Sequence, residues 1–138
     1  MRTMLIVDDD PAWRGLCSAA FESEFRLVEA TDGIEALAQL DRAKPDIILL
    51  DIRLPRLNGL DFLRALDRKG LATPVVVCSG LVTEDGGFAI PSVKAAPKTA
   101  DLQLLRTAVD ETFAATRADS PRRSPERRSP QPVPGASA

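Results

Sequence analysis

Between Asp46 and Gly59 the chain reads DIILLDIRLPRLNG, and this stretch constrains the fold more than any other. Ile47 to Leu50 form an unbroken apolar run that ends on a carboxylate, Asp51, with Pro45 before it and Pro55 beyond it. A run of that length without polar alternation reads as a strand covered on both faces, the habit of parallel sheets flanked by helices. In open sheets of that kind, the residue just past the carboxyl end of a strand faces the crevice where ligands bind. Asp51 is then either a nucleophile or metal ligand on a rigid platform, or an acidic residue that only begins a loop. The residues that share its edge of the sheet decide between the two.

The rest of the chain alternates strand and helix signals. Met4 to Val7 is a short apolar run that stops at Asp8, Asp9 and Asp10. Asp10 followed by Pro11 is a helix start, a capping carboxylate before a proline whose missing N–H costs nothing there. Trp13, Leu16, Cys17, Ala20 and Phe21 continue at helical spacing. Phe25 to Ala30 reads as a second strand, Thr31-Asp32-Gly33 as a turn, and Ile34, Leu37 and Ala38 as the apolar face of a helix closed by Lys44-Pro45. After the central strand, Leu60, Phe62, Leu63 and Leu66 mark a helix ending near Gly70, and Val75 to Cys78 a β-branched strand leading to Ser79. Thr83 to Ile90 holds Gly86-Gly87 and precedes Pro91, which leaves room for little more than a turn or two of helix. Ser92 to Ala96 reads as a fifth strand, and from Asp101 a last helix carries Leu102, Leu105, Ala108, Val109 and Phe113 on one face. Five strands alternating with helices predict a parallel sheet with helices on both faces.

Composition excludes several classes of function. The 138 residues contain no histidine, so no His-dependent triad, His metal site or phosphohistidine resides among them. No apolar run reaches the length of a membrane span and no basic-then-apolar leader opens the chain, which predicts a cytoplasmic protein without a span. Cys17 and Cys78 fall inside helical and strand patterns and read as small buried hydrophobes. From about Arg117 the pattern changes to RADSPRRSPERRSPQPVPGASA, where five arginines face only Asp119 and Glu126 and Ser-Pro recurs three times. Such a segment has too little apolar surface to offset its ordering entropy and is expected to be a disordered basic tail over 117–138.

Asp8 and Asp9, Asp51, Ser79 and Lys98 each sit just past an apolar strand run. In a parallel sheet they arrive at one edge despite their separation in sequence. Carboxylates crowded together repel unless a cation neutralises them. Oxygen ligands without His or Cys suit Mg²⁺, which keeps waters that a phosphate can displace. A hydroxyl and an ammonium opposite the carboxylates complete a site for a phosphoryl group.

Three stretches, LIVDDDPAWR, EATDGIEAL and DIILLDIRLPRLNGLDFL, resemble the receiver domain of two-component response regulators, over about residues 3 to 116. The resemblance implies an α/β fold, a five-stranded doubly wound parallel sheet in the order 2-1-3-4-5, here with a short or degenerate fourth helix. It implies a receiver domain over 1–116, stand-alone and without a DNA-binding domain, that takes a phosphoryl group onto Asp51 from the phosphohistidine of a sensor histidine kinase or histidine phosphotransfer protein. By the same resemblance Asp8, Asp9, Asp51 and the backbone carbonyl of Arg53 hold Mg²⁺, Ser79 is the switch hydroxyl and Lys98 the active-site lysine. Pro55 and Asn58-Gly59 shape the rim. Such a protein catalyses only its own phosphorylation and dephosphorylation, and signals to a downstream protein by changing conformation.

Three features depart from the family pattern. Pro97 precedes the lysine instead of following it, the interval from Ser79 to Lys98 is short, and Ala95 or a neighbour stands where an aromatic residue is usual. Two other readings fit parts of the sequence. One is a receiver-like binding module that acts without phosphorylation. The other is a small haloacid dehalogenase-type phosphatase with Asp8 as nucleophile and Asp10 as acid/base, which leaves Asp51 and its loop unexplained.

Overall fold

The computed structural model describes residues 1–79, 93–99 and 101–119. In chain order the elements are β1 Arg2–Val7, α1 Pro11–Phe21, β2 Phe25–Ala30, α2 Gly33–Ala43, β3 Ile47–Leu50, α3 Gly59–Arg68, β4 Val75–Ser79, β5 Val93–Pro97 and α4 Gln103–Asp119. The strands form one sheet in the order β2-β1-β3-β4-β5, every neighbouring pair parallel, as the alternation of strands and helices predicts. The chain divides into two compact units, Met1–Ala108, which holds the whole sheet, and Val109–Ala138, of which the helical residues 109–119 are described. No helix among the described residues is long and apolar enough to cross a membrane. The short fourth helix expected between Thr83 and Ile90, the start of the fifth strand at Ser92 and all of the expected tail 117–138 but its first three residues, which continue α4, lie outside the described residues.

Each helix begins where a side chain can satisfy its free N–H groups. Asp10 caps α1, accepting from the Ala12 N–H at 2.9 Å, with Pro11 at the first helical position. Asp32 caps α2 through the Glu35 N–H at 2.8 Å, while Glu35 reaches back to the Thr31 N–H at 2.6 Å. Asn58 caps α3 through the Asp61 N–H at 3.0 Å. Asp101 accepts from the Gln103 N–H at 3.0 Å, so α4 starts two residues later than its first acidic residue suggests. Lys44 ends α2 in a left-handed conformation (φ 48°), and Pro45 then prevents the helix from resuming.

The central strand is covered on both faces, all four residues of β3 being buried. One face joins Leu5, Val7, Ile48, Leu50, Val75 and Val77 to Ala36 and Leu40 of α2 and to Phe62, Leu63 and Leu66 of α3. Residues of the opposite parity, such as Met4, Ile6, Ile47 and Leu49, point the other way and are equally buried. There α1 contributes Trp13, Cys17 and Phe21. Each such side chain taken from water contributes about 1.5–3 kcal/mol. Both cysteines are buried free thiols, as their patterns predict. Burial, then the neighbouring Asp8 carboxylate, pushes the Cys17 thiol up to about 12, and burial raises that of Cys78 as well, which leaves both unreactive.

The helical faces are rotated from the simplest hydrophobic reading. Leu16, Ile34 and Leu60, expected inward, are exposed at 43%, 48% and 39%, and Ala38 is exposed too, whereas Gly33, Ala36 and Leu40 face the core of α2. In α2 the cause is a close approach. A Cβ on Gly33 would lie 2.0 Å from the backbone oxygen of Leu57, so α2 turns its smallest residues toward the loop after β3. Gly33→Ala is therefore predicted to destabilise by about 1–3 kcal/mol through overpacking, despite the better helix propensity of alanine. Gly15, in α1 with nothing within 4 Å of an added Cβ, is the opposite case. Gly15→Ala is predicted to stabilise by about 0.5–1 kcal/mol. Urea denaturation of the two variants checks the pair, and shifts of the same sign contradict this packing.

Candidate functional site

The sheet register alone assembles the site. Val7 pairs with Leu50, so the next residue on each strand, Asp8 and Asp51, emerge side by side. The backbone ladder continues through both, Asp8 N–H donating to the Ala30 carbonyl at 3.1 Å and Asp51 N–H to that of Val7 at 3.0 Å. On the other side of β3, Ser79 pairs with Pro97, which brings Lys98 one step past the end of β5 to the same edge. Lys94 pairs with Val76 in mid-strand, short of that edge, so Lys98 is the lysine of the site.

The oxygens of Asp8, Asp9 and Asp51 lie within 4.8 Å of one another. Asp8 and Asp51 are buried, while Asp9 is exposed at the mouth. The Lys98 ammonium sits between the two buried carboxylates, 2.5 Å from Asp8 Oδ2 and 3.2 Å from Asp51 Oδ2. Among the described residues Lys98 is the one partner of Asp8 Oδ2, whereas Asp8 Oδ1 accepts the Asp10 N–H at 2.9 Å. Asp51 Oδ1 accepts the Arg53 N–H at 3.2 Å. The indole of Trp13 flanks the lysine, with Nζ 5.7 Å from the ring centroid. Arg14 closes the back of the site, Nη1 donating to the Asp8 carbonyl at 2.8 Å while Nε pairs with Glu29 of β2 at 2.9 Å.

Burial dominates the Asp8 carboxyl and holds its pKa above the usual carboxylate value, against the lowering pull of Lys98. Burial alone would lower the Lys98 pKa, but the contacts with Asp8 and Asp51 outweigh it and raise the ammonium above its ordinary value. Three ionised carboxylates and one ammonium leave two negative charges in the pocket. A hard divalent cation with oxygen ligands matches that charge, and Asp8 Oδ2, which meets only the ammonium among the described residues, has a further lone pair to offer it.

All the residues singled out at the strand ends therefore reach one edge, and among the described side chains Asp8, Asp9, Asp51 and Lys98 form one cluster. The Ser79 backbone closes β4 beside them, and its hydroxyl falls outside the described side chains. Arg53 turns its side chain to solvent and contributes its backbone. Asp10, the acid/base of the dehalogenase-type reading, is instead engaged as the α1 cap. Trp13, which helical spacing marked only as core, and Arg14, which it left unmarked, both border the cluster.

The receiver-domain profile of response regulators matches residues 4–96. The chain is 35% identical over 94 residues to a protein-glutamate methylesterase/protein-glutamine glutaminase of Pyrococcus abyssi, covering 66% of this chain and 25% of that protein. It is 34% identical over 100 residues to the chemotaxis protein CheY of Listeria monocytogenes, covering 71% of this chain and 82% of that one. The chain thus spans only about a quarter of the methylesterase, but most of the chemotaxis protein. Among solved structures, chemotaxis protein CheY4 of Vibrio cholerae superposes with a TM-score of 0.72 at 24% identity, covering 81% of this chain and 98% of that one, which shows the shared fold.

A pH prediction follows from Asp8. Its folded pKa lies above the unfolded value of 3.8, so its contribution favours folding below that value and is lost as pH rises through the folded pKa. Asp8→Asn, a neutral mimic of the protonated form, is expected to be more stable than the wild type in EDTA at pH 7. That advantage should shrink as the pH falls toward 4. Urea titrations across this range measure it, and an advantage that grows on acidification contradicts the burial account.

Proposed function

Because this chain belongs to the receiver-domain family of response regulators, we propose that it accepts a phosphoryl group on Asp51 from a phosphohistidine of another molecule, in a two-component system or phosphorelay. The observation that carries this reading is the position of Asp51, buried at the end of the central strand and bonded by the ammonium of Lys98. No histidine occurs among the 138 residues, so the donor imidazole belongs elsewhere, to a sensor kinase or a histidine phosphotransfer protein.

In the transfer, a carboxylate oxygen of Asp51 attacks phosphorus and the P–N bond breaks, its electron pair leaving with the imidazole. The sheet holds the attacking carboxylate still, through the Asp51 N–H bond to Val7 and the Arg53 N–H bond to Oδ1, so little orientation is left to achieve at the moment of reaction. Lys98 has an ammonium within reach of the phosphoryl oxygens once it lets go of the carboxylates, and Ser79 is assigned a hydrogen bond to the same group. Asp8, Asp9, Asp51 and the Arg53 carbonyl are the residues that would hold Mg²⁺. A cation held there would supply charge neutralisation for the transferring phosphoryl group. The chain acts on itself, so it is a carrier or switch rather than an enzyme with a separate substrate. The receiver unit takes in residues 1–116, and the basic segment 117–138 differs from it in composition.

Incubation with acetyl phosphate and Mg²⁺, read by intact mass, tests the proposal. One base-labile phosphoryl group is expected on the wild type and none on Asp51→Asn, with EDTA suppressing the labelling. Equal labelling of the variant transfers the nucleophile to another carboxylate, and an unlabelled wild type favours a receiver-like module that binds without phosphate.

A further inference from the structure

The loop from Ile52 to Asn58 follows directly on the acceptor Asp51 and carries the Arg53 backbone, so its position sets the geometry of the site. Its inner half is tied by its own backbone, Leu54 N–H to the Ile52 carbonyl at 3.1 Å and Gly59 N–H to the same carbonyl at 2.8 Å. Gly59 leaves no room for error there, since an added Cβ would lie 2.7 Å from the Asp51 carbonyl oxygen and 2.6 Å from Ile52 Cα. The outer half has one backbone bond of its own, Leu57 N–H to the Pro55 carbonyl at 2.8 Å, and is held from outside as well. Arg56 adopts a left-handed backbone (φ 66°) that a non-glycine residue takes up only when its surroundings enforce it. Its guanidinium meets Asp32 side-on, Nε 3.1 Å from Oδ2 and Nη2 3.2 Å from Oδ1. Beside this contact Leu57 rests its carbonyl against Gly33, the residue after Asp32.

Asp32 is itself fixed, because it caps α2 through the Glu35 N–H. That bond first, and Arg56 with it, holds its carboxyl below the usual range, so it remains charged. The first turn of α2 is thus a rigid abutment, and Arg56 is the strap that draws the acceptor loop onto it. The bidentate fork suits this task, as it fixes orientation as well as distance.

We propose that Arg56 and Asp32 are a positioning pair for the phospho-acceptor site. Holding the Ile52–Asn58 loop against α2 keeps the Asp51 carboxylate and the Arg53 backbone in register for the cation and the phosphoryl group. This inference rests on Asp51 being the acceptor. It makes the α2 N-terminus, remote from the chemistry in sequence, a determinant of phosphorylation rate.

Two substitutions separate positioning from folding. Asp32→Asn keeps an N-cap of equal quality but loses the ion pair. Arg56→Gly loses the ion pair and accepts the left-handed backbone without strain. Neither is expected to lower the melting temperature materially. Each should slow labelling by phosphoramidate at subsaturating Mg²⁺ by about two- to fivefold, the range of an exposed ion pair. The double variant should be no slower than either single one. Arg56→Lys should recover only part of the rate, and molar salt, which screens the pair, should bring the wild type down to the variants. Variants that label at the wild-type rate while the wild type is labelled overturn the strap alone. So does a double variant whose defect is the product of the two. A wild type that takes no label overturns the acceptor reading and the strap with it.

Discussion

The Lys98 ammonium between Asp8 and Asp51 is the contact on which the functional end of this protein depends. The parallel register forces these two carboxylates out side by side, and Asp9 follows immediately. Without a positive charge among them, folding would bury like charges against one another. Lys98 supplies one positive charge from the far side of the sheet, reaching over from β5 at 2.5 and 3.2 Å. It does not neutralise the cluster, and the remaining negative charge suits a divalent cation at the same oxygens. Carboxylates crowded in this way are better accommodated with a cation than without one.

The rest of the fold keeps that end in place. Close packing of small residues sets the loop after β3, with Gly33 against Leu57 and Gly59 against Ile52 and the Asp51 carbonyl. Trp13 lies beside Lys98 from α1, and Arg14 ties the same helix to the Asp8 carbonyl and to Glu29 of β2. Farther from the site, Arg106 of α4 donates to the Ala20 carbonyl at 2.7 Å, pairs with Glu24 and stacks its guanidinium on Phe21. These contacts join helices to the frame through charge-assisted bonds at partly exposed positions, where each is worth little alone. The apolar layers supply most of the stability, and the polar contacts set the registration of the edge.

The sequence made the sheet legible because its strands are pure apolar runs ended by polar residues, and a parallel sheet needs that pattern. Asp8, Asp51 and Lys98 were visible for the same reason, each standing one step past a strand. The helix faces were less legible. Ile34 and Leu60 attract attention as large apolar residues, yet the structure turns them outward and buries Gly33 and Gly59, since close approach selects for smallness and hydrophobic periodicity does not register it. Trp13 read as a core residue and is one, but its neighbour is the site lysine, a contact between residues 85 positions apart that no local pattern carries. The pair of Arg56 with Asp32 was equally hidden, because an arginine in a loop and an aspartate before a helix each have an ordinary local explanation.

Thermal melting in EDTA and in Mg²⁺, on the wild type and on Asp9→Ala, tests the charge balance most directly. With a dissociation constant on the order of 1 mM and roughly 10 mM Mg²⁺, mass action stabilises the wild type by about 1.4 kcal/mol. Removing Asp9 relieves repulsion, so the variant should melt higher than the wild type in EDTA and lose most of its response to Mg²⁺. Asp10→Ala is the control, losing a helix cap worth about 0.5–2 kcal/mol while keeping the metal response. If Asp9→Ala melts lower in EDTA and still gains full stability from Mg²⁺, crowded carboxylates are not what governs this site.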